Sequence, residues 1–288
     1  MNVKRITALL LGCVLVGTVL VGCGGQQAKA PAEQQKETAG IKLGMLTHMN
    51  ASEEKINEIM KKVDEEAQTK LSHDVTYYDK LTSMQMGLES GSVKAISLYD
   101  SVAHYLMDRN DKITLSDMKG LKLEDSFCCA VRQDDKELKG QLDKVIGDMK
   151  ADGTLDKLIK EYITDLKKGS EPPAVPLPKI DGAATLKIGI TGDLPPLDLI
   201  LPDGKAAGFN TAVLAELSKR LGKNVELVQV DSASRAAALA SKKIDVVFWA
   251  TLPAGNTKIP GDIDKPQGVE LTVPYYQDKI VHVEMKGK

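Results

Sequence analysis

The sequence lacks the net positive charge that nucleic-acid-binding proteins carry and the many cysteines that disulfide-stabilised proteins contain. Its 38 basic and 40 acidic residues give the 288-residue chain a formal net charge of −2. The basic residues are scattered, so no stretch carries the positive field that holds a phosphate backbone. Four cysteines are too few for a disulfide scaffold. We therefore expect no nucleic-acid partner, and we expect a packed core to stabilise the fold.

Catalytic and cofactor motifs are also missing. The sequence has no GxxxxGK(S/T) phosphate loop, no GxSxG nucleophile elbow and no pair of histidines or cysteines at metal-ligand spacing. Cys128 and Cys129 are neighbours in a predicted strand, where successive side chains point to opposite faces, so we expect two separately packed thiols. These absences predict a protein with no enzymatic activity, no cofactor and no metal site.

The first 22 residues have the layout of a bacterial secretion signal. Lys4 and Arg5 precede an apolar run that is short of the roughly 20 residues needed to span a bilayer. The run ends in Leu20-Val21-Gly22-Cys23, which resembles the lipobox, where the cysteine is acylated. We predict a lipoprotein signal peptide over residues 1–22, lipidation at Cys23 and an extracytoplasmic protein anchored to a bacterial membrane. An ordinary cleaved signal is the alternative.

Two further stretches are predicted to separate folded parts of the chain. Residues 23–40 are mostly Gln, Ala, Lys, Glu and Gly, and cannot bury enough apolar surface to fold, so they indicate a flexible tether. Residues 169–183 contain four prolines, which forbid a helix and favour an extended linker. Two segments remain as candidate lobes, residues 41–168 and residues 184–288.

Strands alternate with amphipathic helices in both segments. Predicted strands cover residues 41–46, 74–78, 93–98, 127–132, 186–190, 225–230 and 244–248, and predicted helices cover 56–63, 81–88, 138–149, 155–162, 210–221 and 233–241. This alternation predicts two α/β lobes with parallel sheets. Ligands of open α/β sheets bind off the carboxyl ends of the strands, so we expect a cleft between the lobes, lined by the loops that follow those strands.

Motifs in both segments resemble those of one family. In the second segment they are the runs 186–197, 203–205, 208–210 and 239–248, and Pro274-Tyr275-Tyr276. In the first segment they are the runs 42–46, 91–96 and 127–133, and the most specific run, Met149-Lys150-Ala151-Asp152-Gly153-Thr154-Leu155. Together these motifs resemble the family 3 extracellular solute-binding proteins of ABC importers. The resemblance implies an α/β protein with the two-lobed type II periplasmic binding fold.

The two lobes occur in the opposite order from that family. Residues 41–168 resemble the second lobe of the family and residues 184–288 resemble its first lobe. The resemblance therefore implies a circular permutant, in which the proline-rich linker joins the usual termini. A lobe-swapped dimer, in which each lobe pairs with the complementary lobe of another chain, is the alternative.

The resemblance also implies where this chain departs from amino-acid-binding relatives. In those relatives an arginine after the strand at 244–248 holds the α-carboxylate of the ligand, whereas residues 249–258 contain no arginine. The aromatic residues that sandwich the ligand fall at Leu194 and Ser232, and the acid that holds the ammonium falls at Tyr99, beside Asp100. These substitutions argue against a standard α-amino acid as the solute.

Nine residues are candidates to contact a solute because of their positions at strand ends. Trp249 can stack on a ligand, but it can equally pack in the core. Thr47, His48 and Asn50 lie at a strand-to-helix turn, where backbone N–H groups can meet an anionic group, although capping explains Asn50 as well. The predicted site consists of Thr47, His48, Asn50, Tyr99, Asp100, Asp193, Leu194, Trp249 and Thr251.

We therefore expect a lipid-anchored solute-binding component of an ABC importer. Its two lobes would close by a hinge motion over a small polar solute, amino-acid-like or related, for delivery to the permease. The alternative is a degenerate relative that no longer binds a solute and serves as a surface interaction or sensor-docking protein. A cleft filled by Trp249 and Tyr99 would favour that alternative.

Overall fold

A computed structural model describes residues 40–66, 73–117, 123–254 and 259–287. The predicted signal peptide, the predicted lipidation site Cys23 and all but the last residue of the predicted tether lie outside the described residues. Among the described helices, none combines the length and the apolar character that a bilayer span requires.

The first segment contains the predicted alternation of strands and helices. Its elements are β1 (Ile41–Leu46), α1 (Glu53–Glu66), β2 (His73–Tyr78), α2 (Leu81–Ser90), β3 (Ala95–Tyr99), α3 (Asp100–Met107), β4 (Ile113–Leu115), β5 (Glu124–Arg132), α4 (Lys136–Ala151) and α5 (Thr154–Ile159). The Asp135 carboxylate caps α4 by accepting the N–H of Leu138 at 3.1 Å. The apolar stripe of α4 is buried, as its spacing predicts.

The second segment repeats this alternation after the linker. Its elements are β6 (Thr185–Ile190), β7 (Asp193–Leu194), β8 (Asp198–Ile200), β9 (Ala206–Ala207), α6 (Phe209–Leu221), β10 (Asn224–Gln229), a 3₁₀ turn (Ser232–Ser234), α7 (Arg235–Ala240), β11 (Val246–Ala254), β12 (Val269–Leu271) and β13 (Tyr276–Met285). The predicted strand at 244–248 is longer than expected, because β11 continues to residue 254.

The strands pair in the order β10-β6-β11-β5-β13-β3-β1-β2, with β12 beside β5 and β4 beside β13. We call β1, β2, β3, β4 and residues 280–285 of β13 sheet A. Sheet B consists of β5, β6, β10, β11, β12 and residues 276–279 of β13. Strands β1, β2 and β3 are parallel in sheet A, and β6, β10 and β11 are parallel in sheet B. The predicted α/β class with parallel strands is confirmed.

Each segment contributes an antiparallel strand to the sheet that the other segment mainly forms. Strand β5 belongs to the first segment and lies beside β11 of sheet B, with Val131 opposite Val246. Strand β13 belongs to the second segment and lies beside β3 of sheet A, with Ile280 opposite Tyr99. The two segments are therefore interlaced, and residues 38–288 cluster as one unit.

An aromatic cluster fills the place where β5 and β13 meet. Phe127 is fully buried, and its ring centroid lies 4.7 Å from Tyr99, 5.2 Å from Tyr276, 6.4 Å from Tyr275 and 6.5 Å from Trp249. Aromatic rings at these separations stabilise a core beyond the area that they bury. The cluster ties sheet A to sheet B.

The two cysteines of the body are both buried and both free, so the prediction of separately packed thiols is confirmed. Burial raises the pKa of both thiols, that of Cys128 to about 12. Both thiols therefore remain protonated and unreactive near neutral pH.

Gly208 sets the turn that starts α6, and its replacement gives a first testable prediction. Its φ is +98°, and an added Cβ would lie 2.6 Å from the Pro196 carbonyl oxygen and 2.9 Å from that of Leu197. Both oxygens are fixed, because they accept the N–H groups of Phe209 and Asn210. We expect Gly208→Ala to lower the free energy of unfolding by about 3 kcal/mol in urea denaturation.

The matched control is Gly140→Ala in the exposed part of α4, where an added Cβ meets nothing within 4 Å. A better helix former at this position should be neutral or stabilising by up to about 1 kcal/mol. Equal losses for the two variants would contradict the assigned role of Gly208.

Candidate functional site

Two spaces lie between the strand-end loops of sheet A and those of sheet B. The first is a cavity of about 70 Å³, lined by residues of β1 and β3 on one side and of α7 and β11 on the other. The second is a groove of about 640 Å³ between the β2–α2 turn and the loops after β6 and β10. Ligand pockets commonly measure roughly 300–1,000 Å³. The groove has this size, whereas the cavity is far smaller.

Five of the nine predicted site residues line the small cavity, namely Thr47, His48, Tyr99, Trp249 and Thr251. Asp193 lines the groove instead. Asn50 is exposed and lies in the β1–α1 turn beside the cavity, and Asp100 lies in a separate surface pocket with His104 and Asp278. Leu194 is buried in the hydrophobic core at 1% exposure. The structure thus brings six of the nine residues to the two spaces between the sheets.

Trp249 owes its orientation to an irregularity of β11. The pairing of β11 with β5 shifts between Phe248 and Ala250, and Trp249 at that bulge has a φ of +74°. Positive φ is costly for a bulky residue, about 1–3 kcal/mol, and such strain concentrates at functional sites. The side chain is 4% exposed, and its indole Nε1 has no hydrogen-bond partner among the described residues.

The cavity contains an arginine that the sequence analysis missed. Arg235, the first residue of α7, is 3% exposed, and its guanidinium lies 4.6 Å from the ring centroid of Trp249. Its Nε donates to the Ser232 oxygen at 3.0 Å and its Nη1 to the Trp249 oxygen at 2.7 Å. Its Nη2 lies 3.5 Å from the Thr47 oxygen of sheet A. The ring, a candidate either to stack on a ligand or to pack in the core, therefore stacks on the chain's own cation.

A signal for Arg235 was present in the sequence. It is the first charged residue of the predicted helix at 233–241, which follows the strand at 225–230, so it lies in one of the loops expected to line the cleft. The family resemblance places the arginine at residues 249–258 instead, after the next strand.

The anionic group predicted at the β1–α1 turn belongs to the chain itself. Asp264, in the loop between β11 and β12, accepts the backbone N–H groups of Met49 at 3.0 Å, Asn50 at 2.6 Å and Ala51 at 3.1 Å. Its Oδ2 also lies 3.8 Å from Nδ1 of His48. Burial alone would raise the pKa of Asp264, but His48 and the N–H groups outweigh it and hold that pKa below its ordinary value.

A second carboxylate lines the cavity on the side of β5. The hydroxyl of Tyr99 donates to Oδ2 of Asp125 at 3.1 Å. The pKa of Asp125 is raised to about 6, chiefly by burial and also by the nearby Asp264 and Asp278, while Tyr99 and His48 oppose the shift. In the strand register Asp125 lies opposite Asp278, so two acids face each other where β5 meets β13.

A carboxylate in the groove links β7, a strand of the small sheet β7-β8-β9, to the β2–α2 turn. Oδ2 of Asp193 accepts the N–H of Leu81 at the start of α2, at 3.1 Å. Burial raises the pKa of Asp193. Lys80 lies 3.7 Å from Asp231, and both side chains are exposed. The groove therefore presents acids, an ammonium group and hydroxyls, which suit a small polar molecule of mixed charge.

No cluster of three or more His, Cys, Asp or Glu side chains that could hold a metal ion occurs within the described ranges. The polar groups of the two spaces are backbone N–H groups, carboxylates, hydroxyls, the guanidinium of Arg235, the ammonium groups of Lys80 and Lys243, the amide of Gln229 and the imidazole of His48. They can bind and orient a solute.

Residues 186–254, which run from β6 to the end of β11, match the model of the bacterial extracellular solute-binding proteins, family 3. A probable histidine-binding protein of Campylobacter jejuni is 28% identical over 103 residues, which are 36% of this chain and 37% of that protein. The L-cystine-binding protein TcyJ of Escherichia coli is 29% identical over 117 residues, 39% of this chain and 44% of that protein. The aligned stretch spans less than half the length of these relatives.

One similar solved structure is the ligand-binding component of an ABC-type import system from Staphylococcus aureus with zinc bound. It shares 13% identity, with a TM-score of 0.43 over 85% of this chain and 65% of that chain. The predicted resemblance to family 3 is confirmed for residues 186–254 by the match to the family model.

Proposed function

We propose that this chain is a non-enzymatic, extracytoplasmic solute-binding protein of family 3, with the type II periplasmic binding fold, that delivers a small polar solute to an ABC permease. One observation carries the proposal. The stretch that matches the family model, residues 186–254, forms β6 to β11, and its strand-end loops face those of sheet A across the cavity and the groove.

The proposed protein is a circular permutant that binds its solute as a single chain. The resemblance to the family's first lobe falls in the second half of the chain, at residues 184–288, after the proline-rich linker at 169–183. Both sheets are completed within one chain, because β5 and β13 cross between them. The proposal takes the monomer, in which this pairing occurs within one chain, over the lobe-swapped dimer. In this proposal residues 41–168 are the second lobe, completed by β13.

The proposed location is the outer face of a bacterial membrane. Residues 1–22 would be removed as a signal peptide, Cys23 would carry the lipid, and residues 23–40 would tether the body to the membrane. The support is the lipobox-like run that ends at Cys23, together with the extracellular location in the family's description.

The proposed binding place is the groove, extended into the cavity when the sheets separate. The relatives are named for histidine and cystine, so amino-acid-like solutes are the first candidates. In the groove Asp193 offers a carboxylate to an ammonium group, and Lys80 offers a cation to an acid. The cavity adds Trp249 and Arg235 as groups that opening would make available.

A solute panel tests this proposal on the body of the protein, residues 38–288. L-histidine, L-cystine and other polar amino acids and amines are added, and thermal unfolding is followed. At a concentration 100 times Kd, a solute stabilises the native state by about 2.7 kcal/mol, which raises Tm by roughly 5–10 °C. We expect at least one solute to produce this shift and to make the protein more compact in X-ray scattering.

A matched pair of variants assigns the shift to the groove. Asp193→Asn keeps an acceptor for the N–H of Leu81 but removes the charge, and should weaken binding of an ammonium-bearing solute by about tenfold. Asp203→Asn, on an exposed loop, should leave binding unchanged. If no solute shifts Tm and the dimensions stay constant across a broad panel, solute binding is contradicted.

The second candidate function, a surface interaction or sensor-docking protein that binds no solute, is favoured by the filled cavity. Trp249, Tyr99 and Arg235 occupy the space between the sheets and leave about 70 Å³. A solute ordered between the sheets would contradict this candidate. A panel in which no solute raises Tm would favour this candidate.

A further inference from the structure

The contact between Asp264 and the β1–α1 turn has the geometry of a bound anion. The carboxylate uses both of its oxygens on three consecutive backbone N–H groups, those of Met49, Asn50 and Ala51. It is 6% exposed, so little water competes for these bonds. Buried hydrogen bonds to an ionised group are the strong ones, roughly twice the strength of neutral bonds. The turn is therefore an anion-binding site whose occupant is a side chain of the same protein.

The occupant reaches the turn from the opposite sheet. Asp264 is held by the loop between β11 and β12 of sheet B, and its three partners follow β1 of sheet A, 213 to 215 residues away in sequence. Arg235, at the start of α7, approaches the same stretch, because its Nη2 lies 3.5 Å from the Thr47 oxygen. A carboxylate from the β11–β12 loop and a guanidinium from α7 thus contact backbone N–H and C=O groups that follow β1, beside the cavity.

We propose that Asp264 is a built-in carboxylate ligand that occupies residues 49–51 and holds sheet A and sheet B closed over the cavity without any solute. A free carboxylate takes the same place once the side chain of Asp264 is removed. The part of this inference that concerns solute, namely that a solute carboxylate competes with Asp264 in the natural protein, rests on the proposed function. The closing contact itself does not.

The experiment uses Asp264→Gly in the body of the protein, which exposes residues 49–51, and acetate as the probe. Trp249 is the sole tryptophan, so its emission reports whether the cavity is open. We expect the variant to lose about 5–10 °C in Tm and its tryptophan emission to shift to the red. Acetate should restore at least half of both changes, whereas acetamide, which has nearly the same shape and no charge, should restore neither. The natural protein should respond equally to both compounds.

Two further variants keep the inference falsifiable. Asp262→Gly removes an exposed acid of the same loop and should behave like the natural protein. Asp264→Asn keeps the side-chain volume, so it replaces the glycine variant if that variant does not fold; it should lower Tm and shift the emission without solute. The inference is overturned if Asp264→Gly keeps the Tm and emission of the natural protein, or if acetate and acetamide act alike on it. None of these measurements contains a transport solute. A solute panel that gives no Tm shift and a failure of acetate to restore Asp264→Gly are therefore separate results.

Discussion

Replacing Arg235 with leucine is expected to lower the free energy of unfolding by about 3–5 kcal/mol. The guanidinium donates to the oxygens of Ser232 and Trp249, and both carbonyl groups would lose a buried partner. Each unsatisfied buried group costs about 1–3 kcal/mol. Burial lowers the pKa of Arg235, and the charge of Asp264 is the largest effect that opposes this shift, so Asp264 would lose its nearby cation. Urea denaturation followed by circular dichroism measures the loss.

Two other arginine variants calibrate this result. Arg235→Lys keeps the charge but has no planar fork to reach several oxygens, so its loss should be intermediate. Arg220→Leu removes a partly exposed arginine that pairs with Asp152 at 2.8 Å, and should cost at most about 1 kcal/mol. If the loss for Arg235→Leu is as small as that for Arg220→Leu, the guanidinium does not support the interface between the sheets.

Replacing Asp125 with asparagine is expected to stabilise the protein by about 3 kcal/mol at pH 8. Burial raises the pKa of Asp125 from 3.8 to about 6, so the folded state holds this proton more tightly than the unfolded state does. The stability that protonation of Asp125 contributes is fully present below about pH 4. It declines as the pH rises toward about 6, and it is lost above that pH. Asparagine does not ionise, and its side-chain oxygen still accepts the Tyr99 hydroxyl.

The test compares natural protein and variant in urea denaturation at pH 4, 5, 6 and 8. The difference in free energy between them should be small at pH 4 and should grow to its full value above about pH 6. Other buried acids titrate in both proteins, so the difference isolates Asp125. Asp134→Asn, at an exposed position, should give no such difference. A difference that stays constant with pH would contradict the raised pKa.

Most of the helices and strands could be predicted from local patterns in the sequence. The apolar stripe of α4 and the strand and helix alternation in both segments arise from side chains near one another in sequence, so period and capping suffice to find them. The helix α3 was not predicted, because it lacks a local start signal. α3 begins at Asp100 directly after β3 ends at Tyr99, without the loop that normally marks a helix start.

The contacts that shape the candidate site could not be predicted, because they join residues far apart in sequence. Asp264 meets the β1–α1 turn across more than 200 residues, and no local pattern marks it as an acid that a distant turn will bind. The bulge at Trp249 depends on the pairing of β11 with β5, which a period-two pattern does not reveal. Position at a strand end identified residues that line the cavity, but it did not identify their partners.

The crossing of β5 and β13 determines the order in which the chain can fold during synthesis. Residues 41–115 leave the ribosome early and contain β1, β2, β3 and β4, yet the strand that joins β3 to β4 is β13, at residues 276–285. The β3 edge of sheet A therefore stays unpaired until nearly the whole chain has been made. Such late, long-range pairing is slow and leaves strand edges exposed to aggregation. A chaperone that shields the early strands would have to remain bound until β13 arrives.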